Sequence, residues 1–185
     1  KYHTHFDADG RPVFTSTRGR LFRRAVGFQW QDAVHEFVPM AGRIHHSDIT
    51  IHHKKTGEGS GDRNLLIYQK MLAEGKPFTP RNTYYYAREL MDHRQHTQSI
   101  EQFESFLACK GGWVEDEITA CPAIGRCYNA LGQDDAALNA FVRSFTYAPQ
   151  RPEACCELGY VCMRTGDYSN AAGWFETAIT LPNSE

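Results

Sequence analysis

Residues 123–149, AIGRCYNALGQDDAALNAFVRSFTYAP, and residues 157–182, ELGYVCMRTGDYSNAAGWFETAITLP, are two copies of one pattern. Gly125 falls on Gly159, Gly132 on Gly166, Ala137 on Ala171, Phe141 on Phe175 and Ser144 on Ala178, each at a step of 34 residues. A period of that length, rich in helix formers and broken near its middle by glycine, encodes a helical hairpin that stacks on copies of itself. Small residues recur where the two helices of a hairpin must approach closely. The phenylalanines fill the space between neighbouring hairpins, and the mid-repeat glycine makes the turn.

A third, degenerate copy lies upstream in residues 84–108, YYYARELMDHRQHTQSIEQFESFLA. Ala87 takes the place of Gly125, Ser99 that of Ala137 and Phe103 that of Phe141, with about four extra residues around Gly111 to Val114 before the next copy. The period resembles that of tetratricopeptide repeats, and it predicts three of them, at approximately 80–113, 118–151 and 152–185. Three are about the minimum for a continuous core. Such arrays present a concave groove to a partner peptide or protein and carry no catalysis of their own. The aromatics Tyr84 to Tyr86, Tyr128 and Trp174 are expected in the packing between helices, with a peptide or glycan platform as the competing use. The last copy is one residue short before Pro182, so the array is expected to end on an exposed face or to continue in further chain.

Before residue 58 the grammar differs. Thr, Val, Phe and Ile alternate with polar residues around Gly and Asp. Asp9-Gly10 reads as a hairpin turn, followed by extended segments from Val13 to about Thr17 and toward Phe22. The segment Asp48 to His53 alternates as a half-buried strand does, Ile49 and Ile51 on one face and His52 on the other. Residues 56–62, TGEGSGD, read as a flexible break, and Asp62 as the N-cap of a helix over RNLLIYQKMLAEG whose apolar stripe ends at Gly75. The fold class expected is α+β, in three parts: a β-rich segment at 1–58, a connecting helix at 59–79 and the helical hairpins at 80–185.

Composition removes several function classes. At 185 residues and a net charge of −2, with no basic block longer than Arg23-Arg24 or Lys54-Lys55, the footprint of a nucleic-acid binder is missing. No apolar run approaches the ~18 residues of a membrane span. Six cysteines without a C-x-x-C spacing are expected as reduced, buried thiols in a cytoplasmic protein. The Asp-x-Asp at Asp7 to Asp9 lacks the aliphatic strand that would fix a metal-binding pair, and the histidine doublets of an extended strand point to opposite faces. The chain begins at Lys1 without methionine and reads like the interior of a domain, so a piece of a longer protein is expected.

The order of features RGRLFRR, FQWQDAVHEFV, DITIHHKK, DRNLLIYQKMLAEG, YYYAREL and the repeats resembles the C-terminal part of bacterial family 2 glycosyltransferases with a repeat tail. The most specific piece is Trp30, Val34, His35 and Glu36, supported by His52 or His53 and by Arg63-Asn64. Asp32 departs from that pattern, W-x-G-x-V-H-E, which has glycine two residues after the tryptophan. The resemblance implies that residues 1–58 are the end of a GT-A catalytic domain whose nucleotide-binding half lies elsewhere. It further implies inverting transfer from a nucleotide-sugar to a glycan or protein acceptor. In the intact enzyme His35 would be a ligand to a divalent metal, Mn or Mg, and Glu36 or His35 itself the base. Trp30, Arg23 and His52 would bind substrate. The fragment alone is expected to be inactive, with no tightly bound metal. The competing expectation is a non-enzymatic interaction module, and a homodimer formed through unpaired strands is left open.

Overall fold

The computed structural model describes residues 2–17, 19–52, 61–109 and 111–182; His53 and positions 56–60 of the expected break lie outside them. The chain divides into two units, Lys1–Arg63 and Asn64–Glu185.

The second unit is built from seven helices: α1 (Arg63–Ala73), α2 (Pro80–Asp92), α3 (His96–Ala108), α4 (Val114–Ala130), α5 (Asp134–Arg143), α6 (Pro152–Arg164) and α7 (Tyr168–Thr180). The last six pair as hairpins α2–α3, α4–α5 and α6–α7. Within the second hairpin Gly125 is required by contact, because a Cβ there would lie 2.6 Å from the Phe141 ring; at Gly159 it would lie 2.7 Å from Phe175. Phe141 therefore seats on the glycine of its own hairpin. It also joins Ala137, Leu158 and Val161 in one core cluster, so it serves the neighbouring hairpin as well. In the first hairpin Ala87, Phe103 and Ser99 are fully buried, and the Ser99 hydroxyl donates to the Ala87 carbonyl at 2.8 Å.

All three hairpins turn by the same bonds. Gly132 and Gly166 stand at φ 72° and 82°, and the amide after each reaches back to Tyr128 and Cys162 carbonyls at 2.9 Å. This is the six-to-one closure of a left-handed helix cap. In the first hairpin the position belongs to Arg94, at φ 58°, with Gln95 N–H donating to the Leu90 carbonyl at 2.9 Å. A left-handed L-residue there costs about 1–2 kcal/mol relative to a right-handed one, and the surrounding packing holds it. At the start of α2, Thr79 and Asn82 form a reciprocal capping box around Pro80. Ion pairs link successive hairpins: Arg143 to Glu104, Arg151 to Glu115 and Arg164 to Asp134.

The first unit contains β1 (Tyr2–Phe6), β2 (Pro12–Ser16) and β3 (Ile51–His52), ordered β2-β1-β3. The hairpin β1–β2 is antiparallel, and the two residues of β3 add in parallel to β1. The turn is anchored by Asp7, whose Oδ1 accepts the Asp9 and Arg11 amides at 3.0 and 2.8 Å, so this Asp-x-Asp closes a hairpin.

These strands correct the α+β expectation. The structure is mostly helical, and the described residues among 1–58 do not form the sheet remnant of a GT-A domain. A parallel sheet of that kind needs long apolar strands covered on both faces. Among the described residues of this unit, the apolar side chain buried is Val34. Ile49 is 63% exposed and Ile51 38%, so the alternation around them marks a two-residue strand without a core to face.

Candidate functional site

Three consecutive tyrosines on α2 are spaced 100° apart around the helix, so they cannot all face one core. Tyr84 and Tyr86 are buried, while Tyr85 is half-buried. Arg81, four residues before Tyr85, and Arg88, three after, fall on its stripe. The Arg81 guanidinium sits over the Tyr85 ring at 4.8 Å and that of Arg88 at 5.9 Å, the latter also 5.9 Å from Tyr84. Two cations thus share one aromatic surface.

Next to them, the Tyr84 hydroxyl and Thr119 Oγ1 of α4 are hydrogen-bonded at 2.8 Å, and Thr119 also donates to the Glu115 carbonyl one turn back. Asp116 is buried beside this pair. Burial pushes its carboxyl above the usual 3.8, and the charges of Arg81 and Arg88 partly offset that. Arg88 is exposed and, among the described residues, forms no ion pair.

A cavity of about 300 Å³ opens between α4 and the start of α6. Ile118, Pro122, Pro149 and Ala154 give it apolar walls, Thr119 and Ser144 add hydroxyls, and Arg126, Arg151 and Glu153 add charge. Nη2 of Arg151 donates to both carboxylate oxygens of Glu115, at 3.0 and 2.9 Å, and Arg126 lies 3.5 Å from Glu157. Pro122 stands inside α4. It has no N–H for the Ile118 carbonyl four residues back, so the helix carries an acceptor without its ordinary donor on the wall of the cavity. Thr119 lines the cavity and is hydrogen-bonded to the buried Tyr84, which links α2 to the cavity wall on α4.

The sequence-predicted residues of the first unit stand apart from this surface in the chain. His35 and Glu36 lie in the loop Gln31–Phe37, closed by Gln31 and Phe37 amide–carbonyl bonds of 2.8 and 3.1 Å. Val34 points inward at 3% exposure, whereas His35, Glu36 and Trp30 are exposed, Trp30 at 65%. Asp32 and His35 are both left-handed, at φ 66° and 55°. His52 is on β3, its ring 5.2 Å from His3 and stacked 5.6 Å from Phe6, so it packs within the strand patch. Arg23 precedes the short 3₁₀ turn Arg24–Val26 and accepts from the Val26 amide with its carbonyl. Among the described residues no group of three or more His, Cys, Asp or Glu could hold a metal ion.

Arg81, Tyr85 and Arg88 were missed from the sequence, where Tyr84 to Tyr86 read as packing. Their signal was present: an aromatic flanked at i−4 and i+3 by arginines, in the middle of three aromatics of which a helix can bury only part. Cys121, Cys127, Cys155 and Cys162 are buried as expected, whereas Cys156 is half-buried and Cys109 exposed. Burial raises Cys121 to about 11.

Comparison with known proteins bears on the helical unit. The family described as tetratricopeptide repeat matches residues 152–184. No curated protein sequence matches the chain. Among solved structures, MamA MSR-1 is similar with a TM-score of 0.57 at 15% identity, over 65% of this chain and 67% of its own. The MamA RS-1 double mutant is similar at 0.56 and 18%, over 64% of each chain. PilF of Pseudomonas aeruginosa follows at 0.51 and 11%, over 68% of this chain and 63% of that one. The chain thus spans about two thirds of the length of these proteins. The likeness is one of fold: the chain carries a tetratricopeptide repeat within a tetratricopeptide-like helical array. It overturns the GT-A assignment, and the comparisons give the glycosyltransferase resemblance no support. No helix among the described residues is long and apolar enough to cross a membrane.

Proposed function

We propose that the helical unit is a protein-interaction module that holds an extended peptide on the surface formed by α2, α4 and α6. The observation that carries this is the α4–α6 cavity, apolar in its walls and edged by arginine and glutamate side chains. Its size suits one amino-acid side chain or a few. The Ile118 carbonyl, left without its ordinary helical donor by Pro122, supplies an acceptor beside it, while the Thr119 and Ser144 hydroxyls already donate to the Glu115 and Phe141 carbonyls. Pro122→Phe tests the reading. It restores an N–H to α4 and fills the cavity, so the protein should keep its circular dichroism and melting temperature while losing peptides captured from an immobilised library. Equal capture by both proteins would remove the groove as the binding surface.

The loop Gln31–Phe37 supports a second function, the acceptor-side part of a sugar-transfer site in a longer protein. Asp32 stands at φ 66°, at the place where the glycosyltransferase pattern has glycine, so this chain keeps a backbone turn that glycine favours. His35 and Glu36 would then face an acceptor, one of them as the base. In the full-length protein, His35→Ala and Glu36→Gln should each cut nucleotide-sugar turnover without altering the circular dichroism. Unchanged turnover in both rules it out.

A further inference from the structure

We infer that α7 pairs with α7 of a second copy of this chain, antiparallel and about a two-fold axis, so that Tyr168 of each copy meets Ile179 of the other. The surface is the outer face of the last described hairpin, and it uses none of the residues that line the α4–α6 cavity.

The 34-residue step makes the face readable, because the second hairpin carries the same positions in contact with a neighbour. Arg126, Asn129 and Asp134 tie that hairpin to the third: Arg126 lies 3.5 Å from Glu157, and Arg164 donates to Asn129 Oδ1 at 2.9 Å and to Asp134 Oδ1 at 3.0 Å. One step on, the three positions are Tyr160, Met163 and Tyr168, all exposed. Every polar group in those ties is thus replaced by an apolar side chain, and the face offers a following hairpin none of the same bonds. Leu138, Phe141 and Phe145 become Ala172, Phe175 and Ile179 by the same step. The first three share a cluster with Leu158, Val161 and Trp174 of the third hairpin. Phe175 keeps its seat on Gly159 and an edge contact with Tyr160 at 5.3 Å, yet it is only half-buried, and Ile179 is 84% exposed. An exposed apolar patch of this kind marks a protein contact.

Spacing and charge say what covers it. Tyr168, Ala172, Phe175 and Ile179 step by four, three and four residues, which lines them along one side of α7. The stripe reads the same from either end: Tyr168 and Ile179, like Ala172 and Phe175, stand evenly about the helix midpoint between Gly173 and Trp174. A two-fold contact requires that symmetry, since each residue must fit its mate in both directions. Antiparallel copies set Tyr168 against Ile179 at both ends and Phe175 against Ala172 between them. That inner pairing repeats the fit of Phe141 on Gly125 within a hairpin. The charged residue of α7, Glu176, lies off the stripe at 100° per residue, so the seam is uncharged. The patch is at the small end of specific interfaces, which sets the expected dissociation constant at about 10 μM.

Sedimentation equilibrium of the 185-residue chain, from about 1 to about 100 μM, tests the pairing. The chain should pass from monomer to dimer and stop there. Ile179→Glu and Tyr168→Lys, both at exposed positions, should each weaken the dimer at least tenfold with circular dichroism unchanged. Mixed together, the two variants should associate again. Antiparallel pairing joins the new cation to the new carboxylate at one end and keeps the native Tyr168–Ile179 contact at the other. A native chain that stays monomeric, or one that grows beyond the dimer, overturns the inference. So does a dimer indifferent to Ile179→Glu, which would place the contact elsewhere, as through the strands of the first unit. Two weakened variants whose mixture associates no better than either alone overturn the antiparallel two-fold.

Discussion

Residues Lys1–Arg63 and Asn64–Glu185 come from one chain and use apolar residues in opposite ways. The first unit holds aromatic and aliphatic side chains, yet Leu21, Trp30 and Ile49 are 88%, 65% and 63% exposed, with Val34 buried in a closed loop. In the second, Phe103, Phe106, Phe141, Leu90, Ile124 and Leu158 are almost completely buried. The difference lies in periodicity more than in hydrophobicity. Apolar residues repeated at helical spacing and again every 34 positions meet equivalent neighbours along one core; scattered ones meet in local pairs such as Phe22 and Phe28, 5.3 Å apart. The strands in the first unit hold by backbone pairing and by anchors such as Asp7, which fix geometry without supplying a core.

The contrast is broken most directly by emptying each unit's buried position. Phe141→Ala should destabilise the helical unit by about 3–5 kcal/mol, seen as a large drop in the helical melting transition. Val34→Ala should leave that transition where it is. If the two variants shift it equally, the division of stability between the units fails.

Glycine sharpens the comparison within the helices. Gly125→Ala would ordinarily stabilise a helix by about 1 kcal/mol, but its Cβ would meet the Phe141 ring at 2.6 Å, and overpacking of about 1–3 kcal/mol should win. Gly173, also in a helix, has nothing within 4 Å, so Gly173→Ala should raise stability by up to about 1 kcal/mol. Denaturant midpoints of the pair should therefore move in opposite directions. At the first hairpin's turn, Arg94→Gly should stabilise by about 0.5–1 kcal/mol, since glycine takes φ 58° without Cβ strain but adds disorder to the unfolded chain. The same change at a right-handed arginine such as Arg88 should be destabilising.

The smallest effect is a rate. At pH 8 a disulfide reagent should modify exposed Cys109 quickly. Cys121, raised to about 11 by burial, carries roughly a thousandth of its thiol as thiolate there and should react far more slowly. Raising the pH in the native state should speed Cys121 throughout this range, because its thiolate fraction keeps growing up to that value. Equal reactivity of the two thiols would mean that the core is more open than Phe141 and Gly125 imply.

What was legible in the sequence follows the same divide. Gly125, Phe141 and Gly132 were readable because each answers a steric demand that only a few residue types meet, and the demand recurs at a fixed step. The alternation at Ile49 and Ile51 was misleading because two-residue periodicity says that a segment is extended, not that a sheet exists to receive it. The proposed recognition surface was half readable. Tyr84 to Tyr86 stood out as an aromatic run, but which of them would carry the arginines depended on where α3 and α4 press against α2. His35 and Glu36 were identified as a pair, and the left-handed turn that presents them was visible only through Asp32, a non-glycine at a glycine's position.

The shared turn geometry of the three hairpins has an engineering consequence. Because Arg94-Gln95, Gly132-Gln133 and Gly166-Asp167 are closed by the same main-chain bonds, those dipeptides are exchangeable cassettes. A longer guest sequence inserted at one of them meets the same pair of anchoring carbonyls as at the others, which makes the turns three equivalent ports for grafting a tag or a reporter into the array.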